Sequence, residues 1–219
     1  MRERLTAQLL AGPPARSPVA VVERLLAVQG QDLRGARLAV RARSEGLSVT
    51  DVDRALTDDR SLLITWLNRG TLHLVTSDDY PWLLALTTRP LATGIARRLA
   101  QEGVTPTAAD RGVAAIEHAL ADEGPLTRNQ LRERVAAARV PANGQALVYV
   151  LFLAALRGIA VRGPIVGKQH AYVLVRDWLG ESPPVDRDRA LGELARRCAT
   201  RVRSPRDRDG GRRAQGRPR

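Results

Sequence analysis

The sequence of 219 residues predicts an α+β fold that is mainly α-helical and has small β-hairpins. Two observations favour this class: a succession of amphipathic helical segments, and two pairs of short β-rich segments that each surround a glycine-containing turn. Hydrophobic residues make up 44% of the chain, which is enough for a packed core. Because helices followed by a hairpin occur twice, we expect tandem winged-helix (helix-turn-helix) domains.

The first predicted winged helix spans residues 1–76. Ser17 and Pro18 predict the start of its second helix, because serine caps a helix and proline is favoured at the first helical position. Asp32 and Thr50 are expected to cap the third and fourth helices. The predicted helices are 2–11, 18–28, 33–44 and 51–57, and the hairpin strands are 61–68 and 71–75.

A helical connector at residues 77–104 and a second winged helix at 105–180 are expected next. Ser77 is the predicted cap of the connector helix. Thr127 and Gln130 match a capping box, in which the two residues bond each other's backbone at a helix start. The predicted elements are helices 78–87 (with an extension to about 101), 108–121, 128–138 and 144–156, and strands 159–162 and 172–175 around a loop at 163–170.

The last part of the chain is expected to lack a complete fold. Residues 187–198 begin one more amphipathic helix, so 181–198 is interpreted as the start of an incomplete third module. Residues 199–219 are rich in arginine and poor in large apolar side chains, and we expect a disordered tail. The tail is either a DNA-binding arm or out-of-frame translation of GC-rich DNA, and its Arg, Gly, Pro and Ala composition favours the second.

The composition restricts the partners and the chemistry. The net charge of +12 favours a polyanion such as nucleic acid, although residues 201–219 supply +6 of it with eight arginines and two aspartates. The single cysteine, Cys198, excludes an intramolecular disulfide and a four-cysteine zinc site. No metal-ligand spacing or phosphate loop occurs, so no metal or cofactor is expected. Without a signal peptide or an apolar run of ~18 residues, the expectation is a cytoplasmic protein with no membrane partner.

Several motifs together resemble one bacterial family. They are Leu-Leu-Ala-Val-Gln-Gly-Gln-Asp at 25–32, Ala-Arg-Leu-Ala-Val-Arg-Ala-Arg at 36–43, Trp-Leu-Asn-Arg-Gly-Thr-Leu-His-Leu-Val at 66–75, Gly-Pro-Leu-Thr-Arg-Asn-Gln-Leu at 124–131, Arg-Gly at 157–158, Arg-Gly-Pro at 162–164 and Asp-Trp-Leu at 177–179. The likeness covers about residues 3–198. The sequence resembles the winged-helix DNA-binding-domain family that contains the AlkZ and YcaQ DNA glycosylases.

The resemblance implies three tandem winged helices that form a curved channel for duplex DNA, and excision of alkylated bases, including crosslinked ones, through a Gln-x-Gln motif. Gln29 and Gln31 match the two glutamines, and Gln31 rather than aspartate is typical of the AlkZ-like branch. The middle residue, often aliphatic in the family, is Gly30 here. Family members continue past Cys198 into a third winged helix, so we expect a C-terminally truncated member.

Gln29 and Gln31 are the candidate catalytic residues. Each amide offers a carbonyl acceptor and NH₂ donors, with which it can position a water molecule or contact the sugar. Two residues apart, they point the same way in an extended segment but diverge by about 200° on a helix. We therefore expect the motif at a helix end. The alternative is two polar residues in a turn, and Asp32 is explained more simply as a helix cap than as a catalytic carboxylate.

Basic residues beside the motif and in the hairpins are the candidate DNA contacts. Arg34, Arg37 and Arg41 share a helical face that either tracks phosphates or is simply solvated. His73 either bonds the backbone of its strand or contacts DNA. The predicted DNA-binding set is Arg34, Arg37, Arg41, Arg69, His73, Lys168 and His170, the last two at the tip of the second hairpin.

The leading hypothesis is a monomeric winged-helix protein that binds alkylated duplex DNA and acts as a DNA glycosylase in DNA repair. It would hydrolyse the N-glycosidic bond of N7- or N3-alkylated purines. The alternatives are a non-catalytic DNA-binding protein or transcriptional regulator, and an inactive truncated homologue.

Overall fold

The computed structural model describes residues 2–167, 169–181 and 185–202. Its helices are α1 (Arg2–Ala7), α2 (Pro18–Leu25), α3 (Leu33–Arg41), α4 (Val49–Thr57), α5 (Tyr80–Gln101), α6 (Pro106–Glu123), α7 (Arg128–Ala137), α8 (Ala146–Leu156), α9 (Val175–Leu179) and α10 (Arg187–Val202). Its strands are β1 (Val28–Gln29), β2 (Leu62–Leu67), β3 (Thr71–Thr76), β4 (Leu126–Thr127), β5 (Ala160–Val166) and β6 (Gln169–Leu174). The mainly helical α+β class is confirmed.

The strands of the described residues form one antiparallel sheet in the order β1-β3-β2-β5-β6-β4. Each predicted hairpin is present, as β2–β3 and as β5–β6. The two hairpins meet where β2 pairs with β5, at Ile64 and Arg162. The two predicted winged-helix units therefore share a single sheet, which connects them through main-chain pairing.

Helices cover both faces of this sheet. On one face Leu62 and Ile64 pack into a large apolar cluster, and on the other face Leu63 and Leu67 pack into a second cluster. Successive residues of a strand point to opposite faces of the sheet. Because both faces are covered, β2 is buried along its whole length. Ala190 of α10 is fully buried in the second cluster, so α10 belongs to the folded body.

Three predicted helix starts are confirmed by their capping bonds. The side chain of Ser17 accepts a backbone N–H at the start of α2. The carboxylate of Asp32 accepts two backbone N–H groups at the start of α3. Thr127 and Gln130 form the predicted capping box at the start of α7.

Several predicted boundaries in the first unit are wrong. Helices α1 and α3 end at Ala7 and Arg41, before the predicted ends at 11 and 44. Helix α2 ends at Leu25 rather than near Val28, because Val28 leaves the helix to pair with β3. Helix α4 is capped by Ser48 rather than Thr50, since Asp51 completes a capping box with Ser48. The end of α2 is set by pairing with a distant strand, whereas the start of α4 is set by a different local cap.

Later boundaries differ as well. The connector helix α5 begins after Asp79, because the hydroxyl of the predicted cap, Ser77, donates to the Arg60 carbonyl instead. Strands β5 and β6 extend beyond the predicted strands into the predicted loop, so His170 lies within β6 rather than at a turn. Helix α10 continues to Val202, past the predicted end at 198, and residues 203–219 of the predicted tail lie outside the described residues.

None of the described helices is long and apolar enough to cross a membrane.

A buried ion pair ties α10 to the start of α5. The Arg197 guanidinium donates to both carboxylate oxygens of Asp79, at 2.7 and 2.9 Å. Asp79 is 2% exposed and also accepts from the indole N–H of Trp82 at 3.0 Å. Since a buried carboxylate needs such partners, Arg197 compensates the charge of Asp79.

Two helical glycines allow a matched test of the packing. A Cβ atom at Gly112 of α6 would lie 2.9 Å from a methyl carbon of Val150 in α8, whereas Gly94 of α5 has open space around it. We expect Gly112→Ala to destabilise the fold by about 1–3 kcal/mol through overpacking. Gly94→Ala is expected to stabilise it by about 0.5–1 kcal/mol through reduced backbone entropy of the unfolded chain. Urea midpoints that shift in the same direction for both variants would contradict this assignment.

Candidate active site

A cavity of about 670 Å³ lies between α1, the end of α2, β1 and α3. Its polar lining residues are Gln8, Arg24, Gln29, Gln31, Asp32 and Arg43. We name it the motif cavity. Its volume lies in the range of about 300–1,000 Å³ that is usual for small-molecule sites.

Gln29 lies on strand β1 at the edge of the sheet. It pairs with His73 of β3, and its side chain is exposed and makes no hydrogen bond to another described residue. Val28 points into the apolar core, while Gln29 and Gln31 both line the motif cavity. The expectation that the motif follows a helix end in extended backbone, with both glutamines on the same side, is confirmed.

Gln31 is held by the neighbouring strand. Gly30 N–H donates to the Leu72 carbonyl at 2.8 Å, which continues the pairing one residue beyond β1. The backbone N–H of Leu72 in turn donates to the side-chain Oε1 of Gln31 at 3.2 Å. This bond fixes the orientation of the Gln31 amide and leaves its NH₂ group available.

Gly30 allows the motif to approach β3 closely. A Cβ atom at this position would lie 3.1 Å from the backbone nitrogen of Leu74 and 3.3 Å from a methyl carbon of Ile64. Such contacts are tighter than ordinary van der Waals separation, so any side chain would require β3 to move back. The close approach of β3 and Ile64 therefore accounts for a glycine where the family resemblance implies an aliphatic middle residue.

The turn into the motif is strained. Leu26, at the C-terminus of α2, has φ 70° and ψ −47°, close to the rare γ-turn conformation that residues with a Cβ atom avoid. Its side chain is 8% exposed and packs in the second apolar cluster. Burial of Leu26 thus holds a backbone conformation that directs the chain from α2 into β1.

Two charged side chains in the motif cavity are held in place. The carboxylate of Asp32 accepts the N–H groups of Arg34 and Gly35 at 3.3 and 2.8 Å, so the predicted capping role is confirmed. The guanidinium of Arg43 donates to the carbonyls of Gln8 and Ala39 at 3.0 and 2.8 Å. The cavity therefore places a fixed carboxylate and a fixed cation beside the two amides of the motif.

A model of the family described as "DNA glycosylase AlkZ-like" matches residues 22–209, which include the motif and all the described strands of the sheet. The chain belongs to this family. The AlkZ-like assignment agrees with the resemblance carried by the Gln-x-Gln and Trp-Leu-x-Arg-Gly-Thr-Leu-His-Leu segments. A comparison with curated proteins gives no match.

Among solved structures, this AlkZ-like chain is similar to the Streptomyces sahachiroi DNA glycosylase AlkZ, with a TM-score of 0.75 and 27% sequence identity. The similarity covers 90% of this chain and 54% of that chain. The chain thus spans about half the length of this relative.

The structure separates the three predicted arginines of α3. Arg37 forms a bidentate ion pair with Asp53 of α4, with N···O distances of 2.8 and 2.6 Å, and is half-buried. Arg34 and Arg41 are exposed, and their guanidinium groups contact no acceptor among the described residues. The positive charge of Arg37 is thus neutralised locally, whereas Arg34 and Arg41 face solvent.

The first hairpin holds two more predicted DNA contacts. Arg69 is exposed at the turn between β2 and β3. His73 is half-buried in β3, and its Nδ1 atom is bonded to the Thr71 carbonyl at 2.9 Å, which confirms the interpretation of a backbone-bonded strand histidine. Partial burial lowers the pKa of His73, and the bond to Thr71 opposes this shift. A DNA contact by either residue stays a prediction.

The second hairpin buries the ring nitrogens of its histidine, although the residue as a whole is only half-buried. His170 of β6 lies opposite Ile165 of β5, and its ring nitrogens have no hydrogen-bond partner among the described residues. Burial, together with the neighbouring cations Arg162 and Arg37, lowers the pKa of His170 to about 4. The imidazole is therefore neutral near pH 7, because a depressed pKa favours the uncharged form. Lys168 lies outside the described residues.

Gln8 and Arg24 line the cavity but were not among the predicted site residues. Arg24 lies in the last turn of α2, directly before the motif, and this proximity in sequence is a signal that could have identified it. Gln8 lies in the turn after α1, far from the motif in sequence, and has no such signal. In the described part of the chain, no group of three or more His, Cys, Asp or Glu side chains is arranged to hold a metal ion.

Proposed function

We propose that this chain is a DNA glycosylase that hydrolyses the N-glycosidic bond of N7- or N3-alkylated purines in duplex DNA. The observation that supports this most directly is that Gln29 and Gln31 line the same cavity in a member of the AlkZ-like family. The proposed enzyme acts in the cytoplasm as a monomer, without a metal or cofactor.

The proposed reaction suits a site built from amides. A purine alkylated at N7 or N3 carries positive charge, so it leaves the sugar without strong acid catalysis. The protein must then stabilise a sugar with oxocarbenium character and position a water molecule. Preorganised dipoles and proximity are the sources of rate for such a step.

We assign different roles to the two glutamines. Gln31, held by Leu72 N–H, presents its NH₂ group in a fixed orientation and positions the oxygen of the attacking water. Gln29, whose amide has no hydrogen bond to another described residue, accepts a hydrogen bond from that water or contacts the sugar. As the bond from the water oxygen to the sugar forms and the N-glycosidic bond breaks, the cationic base leaves as a neutral molecule and the proton of the water passes to solvent. Asp32 lies beside them as a fixed negative charge that favours a cationic base and sugar in the cavity.

The test is release of the alkylated base by the full chain from a duplex that contains one N7-methylguanine. Release of the base with formation of an abasic site is expected. DNA binding without base release would instead support the non-catalytic alternative, a regulator or an inactive homologue. The observation that favours this alternative is the bond between Leu72 N–H and Gln31, which gives Gln31 a structural role.

The exposed arginines of α3 are proposed to bind phosphates. Removing a cation that neutralises one phosphate reduces the slope of log association constant against log salt concentration by about 0.9. We therefore expect Arg34→Ala and Arg41→Ala each to reduce the slope by about one unit. Arg37→Ala, which breaks the pair with Asp53, is the matched control and should leave the slope unchanged. An equal effect of all three variants on the slope would contradict this division.

A further inference from the structure

The solvent-facing side of α3 carries an exposed leucine between two cations. Leu38 is 53% exposed, the highest value among the exposed large hydrophobic residues of the described chain. Arg34 and Arg41, on neighbouring positions of the same side, are also exposed. Single exposed leucines are common on protein surfaces, so the exposure alone indicates no partner. The position of Leu38 between two unpaired cations and next to the motif cavity is what distinguishes it.

The helical positions place Leu38 at the border of the motif cavity. Gly35, Ala39 and Arg43, on one side of the helical region, line that cavity. Successive residues of a helix are rotated by about 100° around its axis. Leu38 is therefore about 40° from Arg34 on one side and about 60° from Gly35 on the other. Leu38 therefore lies between the proposed phosphate-binding arginines and the cavity that contains Gln29 and Gln31.

We propose that Leu38 is an apolar wedge that enters the base stack of duplex DNA beside the nucleotide whose base occupies the motif cavity. This inference rests on the proposed function. A base must leave the stack to reach a cavity, and apolar side chains that insert between base steps stabilise the unstacked state. The wedge makes Leu38 a positioning residue that acts on the substrate conformation.

Charge complementarity selects a duplex as the partner of this surface. Arg34 and Arg41 have no acceptor among the described residues, and α3 contains no acidic residue. Two cations on either side of an apolar side chain match two phosphates on either side of a base step. A protein partner would need acidic groups at both positions and would leave the adjacent cavity without a role.

The experiment compares Leu38→Ala with Leu38→Met, which keeps the apolar volume, and with Leu191→Ala. Leu191 is an exposed leucine of α10, 43% exposed, and serves as the matched control. Single-turnover base release is measured on paired duplex and on a duplex whose N7-methylguanine is mispaired. We expect Leu38→Ala to slow release from the paired duplex by about tenfold and to act much less on the mispaired one, which is already partly unstacked. Leu38→Met and Leu191→Ala should behave as the wild type.

A second measurement does not depend on catalysis. Fluorescence of 2-aminopurine next to an abasic-site analogue in a duplex rises when the base unstacks, and the wild type should raise it while Leu38→Ala should not. The two proposals can fail separately. If the wild type raises the fluorescence, Leu38→Ala does not, and the wild type releases no base, then the proposed glycosylase activity is wrong and the wedge is supported. An equal rise with both proteins, equal slowing on both duplexes, or no binding of duplex by the wild type overturns the wedge.

Discussion

Replacing Gln31 with alanine is expected to slow base release from an N7-methylguanine duplex by about 10²–10³-fold, the effect typical of removing one preorganised hydrogen-bonding group. The Gln31 amide is fixed by Leu72 N–H at 3.2 Å, so its NH₂ donors require no reorientation when the water binds. Single-turnover rates, measured by cleavage at the abasic product, check this expectation. An alanine variant as fast as the wild type would rule out the proposed role.

Three further variants separate chemistry from support of the strand. Gln31→Glu keeps an acceptor for Leu72 N–H and loses the NH₂ donors, so we expect a stable fold with slow base release. Gln29→Ala removes an amide that bonds no other described residue, so its rate should fall while its free energy of unfolding stays unchanged. Gln101→Ala, at an exposed position of α5, is the control that keeps the wild-type rate.

Replacing Arg197 with alanine is expected to lower the free energy of unfolding by about 3 kcal/mol, because it leaves a buried carboxylate without its partner. Asp79 is 2% exposed, and Arg197 contacts both of its oxygens. The side chain of Arg197 is itself 20% exposed, which places the expected change at the lower end of about 3–5 kcal/mol for a broken buried pair. Urea denaturation measures the change.

The neighbouring arginine gives a control for this effect. Arg196 bonds Glu193 as Arg197 does, but it is exposed and does not contact Asp79. Arg196→Ala should cost about 0.5 kcal/mol or less, as is usual for surface ion pairs. The double variant Arg197→Ala with Asp79→Ala should recover part of the stability, since it removes the unpaired charge. Equal destabilisation by the two arginine variants would show that the contact with Asp79 is not the cause.

Local signals were sufficient for much of the fold. The caps at Ser17, Asp32 and Thr127 predicted three helix starts, because capping bonds involve residues within one turn. Two β-rich segments around a glycine-containing turn predicted the first hairpin, and the spacing of Gln29 and Gln31 predicted their common direction. These features depend on backbone geometry over a few residues.

The remaining features depend on contacts between distant segments. Strand β1 has two residues, too few for any periodic pattern, and exists because β3 pairs with it. The junction of the two hairpins at Ile64 and Arg162 has no local signal either. Likewise, Arg37 on a polar helix face looks the same in sequence as Arg34, and only the position of Asp53 distinguishes them.

The tolerance of position 30 to substitution depends on the residues that surround it in β2 and β3. A Cβ atom there would meet the backbone of β3 at Leu74 and the side chain of Ile64, at 3.1 and 3.3 Å. Exchange of the glycine for an aliphatic residue therefore requires a coordinated change in β2 or β3. We therefore expect the effect of an aliphatic residue at position 30 to depend on whether the backbone at Leu74 and the side chain of Ile64 can shift by a few tenths of an ångström.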